Sequence, residues 1–319
     1  MKKRVLVTGC AGFIGYYVAK ELLERGDFVL GVDILLGDSM LVEAKKSSLC
    51  ELNQYREFEF YKIDICDTKI LEQLCKKYAI THIAHLAGKG NMRSSIEDSF
   101  SHEYCNVRGT LSVLEVARVL RVENCVITSS SSVYGECRDN RAVDESCDRS
   151  MPISPCAATK KACEVMSYVY HHLYSLNINV IRPFTVYGPR GRRDMAAYIF
   201  LSHVLEGKEI VKYGLGDSSR DFTYIDDFVR GYIAALDTAL GYEIFNLGNA
   251  CPVTLNEFIS TIEEVCGVKA KIKEIEEQLG DVSHTHADIS KAKKLLGYCP
   301  MVSLKEGLEK MKVWYLQHN

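Results

Sequence analysis

The stretch RVLVTGCAGFIG, residues 4–15, decides the fold. Arg4–Thr8 is an aliphatic, β-branched run that reads as a buried strand. Three glycines follow at the spacing Gly9-x-x-Gly12-x-x-Gly15, and a helical pattern runs from Gly12 to Arg25 before Gly26 stops it. Glycines in a strand-to-helix turn let the chain reverse tightly, let the backbone approach a pyrophosphate, and let helix and strand pack closely. The N–H groups at the helix start then face the phosphate. Asp33 stands 18 residues beyond Gly15, at the end of the next strand, where a carboxylate accepts from adenosine ribose hydroxyls. Its charge repels a 2′-phosphate and no arginine follows immediately, so the pattern predicts NAD rather than NADP.

Outward from this turn the rhythm repeats. FVLGVD (28–33), FEFYKID (58–64), THIAHLAG (81–88) and NCVITSS (124–130) read as strands, with helical segments near 68–77 and 99–120. A long helix from about 154 to 176 precedes a sixth strand at Asn179–Arg182. Alternation of this kind predicts an α/β fold, a Rossmann-type doubly wound parallel sheet with helices on both faces. After Arg182 the pattern breaks into Gly- and Pro-marked loops and shorter helices, two of them opened by the capping boxes Thr254-x-x-Glu257 and Ser303-x-x-Glu306. The predicted division is an NAD-binding domain over 1–182, joined again by 226–250. Residues 183–225 and 251–319 form a smaller C-terminal substrate-binding lobe over the strand ends.

Composition narrows the class. The chain has 319 residues, 47% hydrophobic and 25% charged, with a formal net charge of −3, a balance that argues against a nucleic-acid partner. No apolar run approaches the roughly 18 residues of a membrane span, and the N-terminus enters a strand rather than a signal peptide. Cysteine occurs 13 times, an odd count without a CxxC pair, which predicts reduced, packed thiols in the cytoplasm rather than a disulfide scaffold. No cluster stands at metal-ligand spacing, so no metal is expected.

The glycine spacing resembles the extended short-chain dehydrogenase/reductase superfamily, and further motifs narrow the resemblance to its nucleotide-sugar branch. Asp64-Ile65 resembles the adenine-contacting pair, His85-Leu86-Ala87 the fourth-strand signature, and Asn106-x-x-Gly109-Thr110 the helix motif. Ser129 to Gly135 (SSSSVYG) is similar to the segment that handles the reacting sugar. RPFTVYGPRGR (182–192) and RDFTYIDD (220–227) look closest to UDP-glucuronate 4-epimerases, as do Gly280-Asp281-Val282 and Ala287-Asp288-Ile289. The resemblance implies NAD contacts at Gly9, Gly12, Phe13, Ile14, Gly15, Asp33, Asp64, Ile65, Leu86, Ala87 and Lys160. It implies that Ser130 bonds the reacting hydroxyl and that Ser131, Arg93, Ser95, Thr185, Arg192, Arg220 and Asp281 line the substrate site. Arg220 is the natural diphosphate clamp, since a diphosphate needs bidentate donors, and Thr185 with Arg192 would contact a sugar carboxylate. The stretch Gly88-Lys89-Gly90-Asn91-Met92 departs from the family pattern. Relatives dimerise through the helices near 99–120 and 154–176, which implies a homodimer.

The superfamily sets a tyrosine and a lysine four residues apart on one helix face, the phenolate taking the proton of the hydroxyl that loses hydride. Here Lys160 is in place and the tyrosine position holds Cys156. Ordinary thiols titrate near 8.5, and Lys160 with NAD⁺ would draw the value toward neutrality. Reach is the difficulty, because the sulfur stops roughly 4 Å short of a phenolic oxygen by bond-length arithmetic. A bridging water, a deeper substrate group or proton transfer through Ser130 would close that gap. The expected activity is NAD-dependent 4-epimerisation of a UDP-sugar, for instance UDP-glucuronate to UDP-galacturonate, through a 4-keto sugar. The alternatives are a decarboxylase or dehydratase using the same ketone, and a catalytically silent nucleotide-sugar binder.

Overall fold

The computed structural model describes residues 2–136, 141–147, 151–276 and 282–318. The first half builds β1 (Arg4–Thr8), α1 (Phe13–Glu24), β2 (Phe28–Asp33), α2 (Ser39–Leu52), β3 (Phe58–Lys62), α3 (Thr68–Lys77) and β4 (His82–His85). Then come α4 (Met92–Glu97), α5 (Ser99–Glu103), a π-turn (Tyr104–Arg108), α6 (Gly109–Leu120), β5 (Asn124–Thr128), α7 (Pro155–Tyr174) and β6 (Ile178–Pro183). The second half adds β7 (Thr185–Tyr187), α8 (Ala196–Leu205), β8 (Glu209–Tyr213), β9 (Ser219–Tyr224), α9 (Ile225–Asp237), β10 (Tyr242–Leu247) and β11 (Pro252–Thr254). The chain ends with α10 (Leu255–Cys266), β12 (Lys271–Ile275), α11 (Ser290–Leu296) and α12 (Leu304–His318).

Seven strands form one parallel sheet in the order β3-β2-β1-β4-β5-β6-β10. It is the doubly wound, Rossmann-type arrangement expected from the alternation of strands and helices. Successive side chains of a strand face opposite sides, and β1 shows the consequence. Val5 and Val7 join the core cluster containing Val18, Ala19 and Leu22 of α1, while Leu6 joins Leu71 of α3 and Val113, Leu114 and Ala117 of α6. Both faces are therefore apolar, which is why these strands read as continuous hydrophobic runs. The winding reverses between β1 and β4, and the crevice above their carboxyl ends is where such sheets take ligands.

Three elements differ from the sequence pattern. Helix α2 has no apolar stripe to announce it, since only Ser48, Leu49 and Leu52 are buried. The helical stretch near 99–120 is broken by the π-turn at Tyr104–Arg108. The fourth strand ends at His85 because the N–H groups of Leu86 and Ala87 turn to Thr8 Oγ1, at 3.1 Å each.

The second lobe carries a small sheet ordered β11-β9-β7 and the pair β8-β12. Phe222 of β9 stacks on Phe258 of α10 with ring centroids 4.4 Å apart. Fully buried Asp221 fastens this lobe to the main sheet by accepting from the backbone N–H groups of Asn249, Ala250 and Ala287. Asp227 does the same for the C-terminal segment through Met301 and Val302. Among the described residues no helix is long and apolar enough to cross a membrane.

Candidate active site

The turn after β1 is built for close backbone approach. Gly9 has φ +70°, and a Cβ there would lie 2.8 Å from the Ala87 nitrogen; a Cβ at Gly15 would lie 2.0 Å from the Gly9 oxygen. Gly12 caps α1 without a side-chain bond, so the first N–H groups of a twelve-residue helix face the crevice. Phe13 and Ile14 are half-buried at that end. Asp33 is buried at the tip of β2, where Oδ1 accepts from Leu35 N at 2.8 Å and from Lys45 Nζ at 3.0 Å. Its Oδ2 has no partner among the described residues.

Asp64 accepts from Cys66 N at 2.9 Å, and Ile65 packs where a Cβ on Gly109 would strike it at 2.4 Å. His85 bridges Thr8 Oγ1 at 2.8 Å and Thr110 Oγ1 at 3.0 Å. Burial pushes its pKa down to about 3, so it is a neutral strut beneath Leu86 and Ala87.

The helix α7 opens with Ser154 as N-cap, accepting from Ala157 N, and Pro155 in its first turn. Cys156 and Lys160 follow one turn apart, on the face toward the sheet. Lys160 Nζ donates to Thr128 O at 2.8 Å and stands 3.0 Å from where a Gly88 Cβ would be. The Cys156 thiol donates to Lys89 O at 3.5 Å. Lys89 is itself fixed by Asn106, which accepts from Lys89 N at 2.8 Å and donates to Lys89 O at 3.0 Å and Thr159 Oγ1 at 2.9 Å. Asn106 lies in the π-turn, a wider turn that marks functional positions in helices.

The expected acidification of the thiol is not met by the protein alone. Burial raises Cys156 above the ordinary thiol range and outweighs the lowering by Lys160 and Arg192.

Ser130 leaves β5 as the N-cap of a short 3₁₀ turn, Ser131–Tyr134, and its Oγ accepts from Ser132 N at 3.1 Å and Ser132 Oγ at 2.8 Å. Behind it Ser129 Oγ donates to Glu164 at 2.6 Å, and Arg182 grips the same carboxylate at 2.8 and 2.7 Å. The Arg182 guanidinium also lies 4.6 Å over the Tyr134 ring.

Across the crevice, the Arg93 guanidinium of α4 lies 5.4 Å over the Tyr213 ring of the second lobe. Arg192 donates to Asp194 through Nε at 3.0 Å and Nη2 at 2.6 Å, and to Gly90 O through Nη1 at 3.2 Å. Thr185 and Ser131 are half-buried, at the start of β7 and of the 3₁₀ turn respectively. Arg220 on β9 donates to Ser219 O at 3.0 Å and Ser283 O at 3.4 Å, with neighbouring Asp221 immobilised as described.

Ser95 is fully buried, and its hydroxyl donates to Met92 O at 2.6 Å at the start of α4. Asp281 lies outside the described residues.

Asn106, Glu164, Asp194 and Lys45 were not singled out as site residues by sequence. Glu164 had a signal, standing four residues beyond Lys160 on the same helix. Asp194 stands two residues from Arg192.

The pattern of the family described as NAD dependent epimerase/dehydratase matches residues 5–248. A UDP-glucuronate 4-epimerase of Thermodesulfobacterium geofontis is 44% identical over 310 residues, covering 97% of this chain and 95% of that protein. The crystal structure of UDP-glucuronic acid 4-epimerase from Bacillus cereus with UDP-glucuronic acid and NAD superposes with a TM-score of 0.92 at 36% identity. That match covers 98% of this chain and 99% of the other. A Thermotoga maritima UDP-glucose 4-epimerase with UDP-glucose gives a TM-score of 0.90 at 29% identity, over 98% and 99% of the two chains.

Proposed function

This chain belongs to the NAD dependent epimerase/dehydratase family, and from that premise we propose that it interconverts UDP-glucuronate and UDP-galacturonate as an NAD-dependent UDP-sugar 4-epimerase. The observation that carries the choice of sugar is Arg192. It is held over the Gly90 carbonyl, within electrostatic reach of Cys156, so a guanidinium stands beside the floor of the crevice where a uronate carboxylate would lie.

The residues fit the dinucleotide. The backbone cradle that any Cβ at Gly9 or Gly15 would fill takes the pyrophosphate, with the α1 N-terminus behind it. Asp33 receives the adenosine ribose through Oδ2, Asp64 and Ile65 flank the adenine, and Lys160 beside Gly88 meets the nicotinamide ribose. When bound, NAD supplies reversible hydride removal at sugar C4, which leaves a 4-keto sugar open to reduction on either face.

The chain's own residues divide the remaining work. Arg220 and Arg93 clamp the diphosphate from opposite lobes, so the sugar turns while its nucleotide stays fixed. Thr185 and Arg192 hold the carboxylate, which restrains a β-keto acid from losing CO₂. Ser130 holds the reacting hydroxyl. Cys156 takes its proton through a water that spans the shortfall of roughly 4 Å left by the missing phenol.

A homodimer belongs to the same reading. Val165, Tyr168, Val169 and Leu173 form an exposed apolar stripe along α7, at the spacing of one helix face. Light scattering would report twice the 35.9 kDa chain mass, and Leu173→Glu would halve it. A cytoplasmic location belongs to the same reading, argued from 13 scattered cysteines without a CxxC pair.

The test is incubation of the purified protein with UDP-glucuronate, separating UDP-galacturonate from product and trapping CO₂. UDP-galacturonate without CO₂ is the expected result. CO₂ with a UDP-pentose would make it a decarboxylase, and tight binding without turnover of any UDP-sugar would make it a silent binder.

A further inference from the structure

We propose that Asp194 tunes the sugar specificity of this site by competing with a substrate carboxylate for Arg192. The inference rests on the reading that a UDP-uronate enters the crevice, and it adds the residue that governs how strongly a uronate is preferred over a neutral hexose.

A guanidinium has five N–H donors in a rigid fork. Asp194 takes one whole edge, with Nε to Oδ1 at 3.0 Å and Nη2 to Oδ2 at 2.6 Å, and Gly90 O takes a third donor from Nη1 at 3.2 Å. Asp194 is in turn held by Asn91, whose Nδ2 donates to Oδ2 at 2.8 Å. These contacts join the loop before α8 to the loop after β4. The latter is the stretch Gly88–Met92 that departs from the family pattern, so its departure has a consequence at the substrate arginine. The same loop meets the Cys156 thiol through Lys89 O, which places the latch at the sugar end of the crevice.

Two features make Asp194 a competitor. The pair is electrically neutral, so Arg192 presents little net charge to an incoming sugar. It is also part-exposed, with side-chain accessibilities of 36% and 45%, and exposed ion pairs are held only weakly against water and other anions. Two N–H donors, one on Nη1 and one on Nη2, are left over, so a C5 carboxylate meets Arg192 with its charge already matched and gains the Nε–Nη2 edge only as Asp194 gives it up. A hydroxymethyl group at C5 has no claim on the fork and leaves the pair in place. Asp194 thereby lowers affinity for uronates selectively and brings the two sugar classes closer together.

The test compares binding of UDP-glucuronate and UDP-glucose to the NAD-loaded protein by titration calorimetry. Asp194→Asn keeps the shape of the side chain and removes its charge. The expected result is UDP-glucuronate binding about three- to ten-fold tighter, with UDP-glucose unchanged within about two-fold. That gain shrinks at high salt, as an exposed charge effect must. Asn91→Ala loosens Asp194 without changing charge and shifts the ratio the same way, by less. Arg192→Ala abolishes the effect of the Asp194 change.

Weaker uronate binding in Asp194→Asn would overturn the proposal, because Asp194 would then be aiming the fork rather than competing for it. Equal shifts for both ligands would overturn it too, as a loop-ordering role. The readout is binding, so a failure to epimerise UDP-glucuronate would strike the proposed function and leave this result standing.

Discussion

Ser129 donates a 2.6 Å hydrogen bond to Glu164, which lies one turn beyond Lys160 on α7. The bond ties the helix carrying Cys156 and Lys160 to the strand end that projects Ser130. Glu164 also takes a forked pair of donors from buried Arg182, at 2.8 and 2.7 Å, and among the described residues it is the carboxylate that grips this guanidinium. Glu164→Ala leaves that arginine charged and unmatched in the core, a loss of about 3–5 kcal/mol. Ser129→Ala removes one hydrogen bond and costs about 1–2 kcal/mol. Urea unfolding of the two variants checks the order; equal costs would show that the carboxylate does not anchor the site.

The Cys156 thiol sits above its ordinary range because burial outweighs the pull of Lys160 and Arg192. Only its thiolate accepts a proton, so turnover rises with pH as the thiol ionises, and bound NAD⁺ draws that rise to lower pH than the protein alone would set. Cys156→Ala loses this alkaline limb along with about 10²- to 10⁴-fold in kcat. A pH profile of kcat for both proteins decides it. An unchanged limb in the alanine variant would assign the titration to another group.

How much of this was legible depends on how far each interaction reaches along the chain. The glycine triplet and Asp33 speak through local backbone demands, so sequence spacing carries them. Cys156 is found by register against Lys160, four residues away on one helix. The Arg192–Asp194 pair is adjacent in sequence, yet its meaning comes from Gly90 and Asn91, about a hundred residues earlier. Asp221 sits beside Arg220, but its three N–H partners lie 28, 29 and 66 residues away. Ser95 matches a substrate loop by position, while its bond to Met92 O, three residues back, is visible only in the structure. The helix α2 was hidden because a surface helix with three buried residues has no stripe to read.

Leu35 N and Lys45 hold Oδ1 of Asp33, and its Oδ2 has no partner among the described residues. Asp33→Asn turns a charged acceptor of ribose hydroxyls into a neutral amide, and charged hydrogen bonds are worth about 1.5–3 kcal/mol. NAD affinity is therefore expected to fall about 10- to 100-fold. Fluorescence titration of the stripped protein with NAD measures it. The variant also loses the charge that repels a 2′-phosphate, so NADP binding should fall less than NAD binding. An equal loss of both would mean that Asp33 shapes the turn at Leu35, which has φ +56°, rather than reading the ribose.

Buried thiols make the fold sensitive to alkali. Burial alone pushes fully buried Cys75 up to about 12, and it raises Cys125 strongly as well. Both are neutral in the folded state, while in the unfolded chain they ionise near 8.5. The unfolded state therefore binds fewer protons above that pH, and stability falls as pH rises. The stability is complete below about pH 8 and is lost progressively as the pH climbs toward the folded-state values. At pH 9.5 each such thiol costs between about 1 and 2 kcal/mol, so this pair alone removes about 3 kcal/mol relative to pH 7.5. Urea unfolding at the two pH values, under reducing conditions, measures the difference. Cys75→Ala lowers stability at both but makes the pH-dependent drop smaller by one thiol's share. A drop that stays the same in that variant would trace the alkaline loss to other groups.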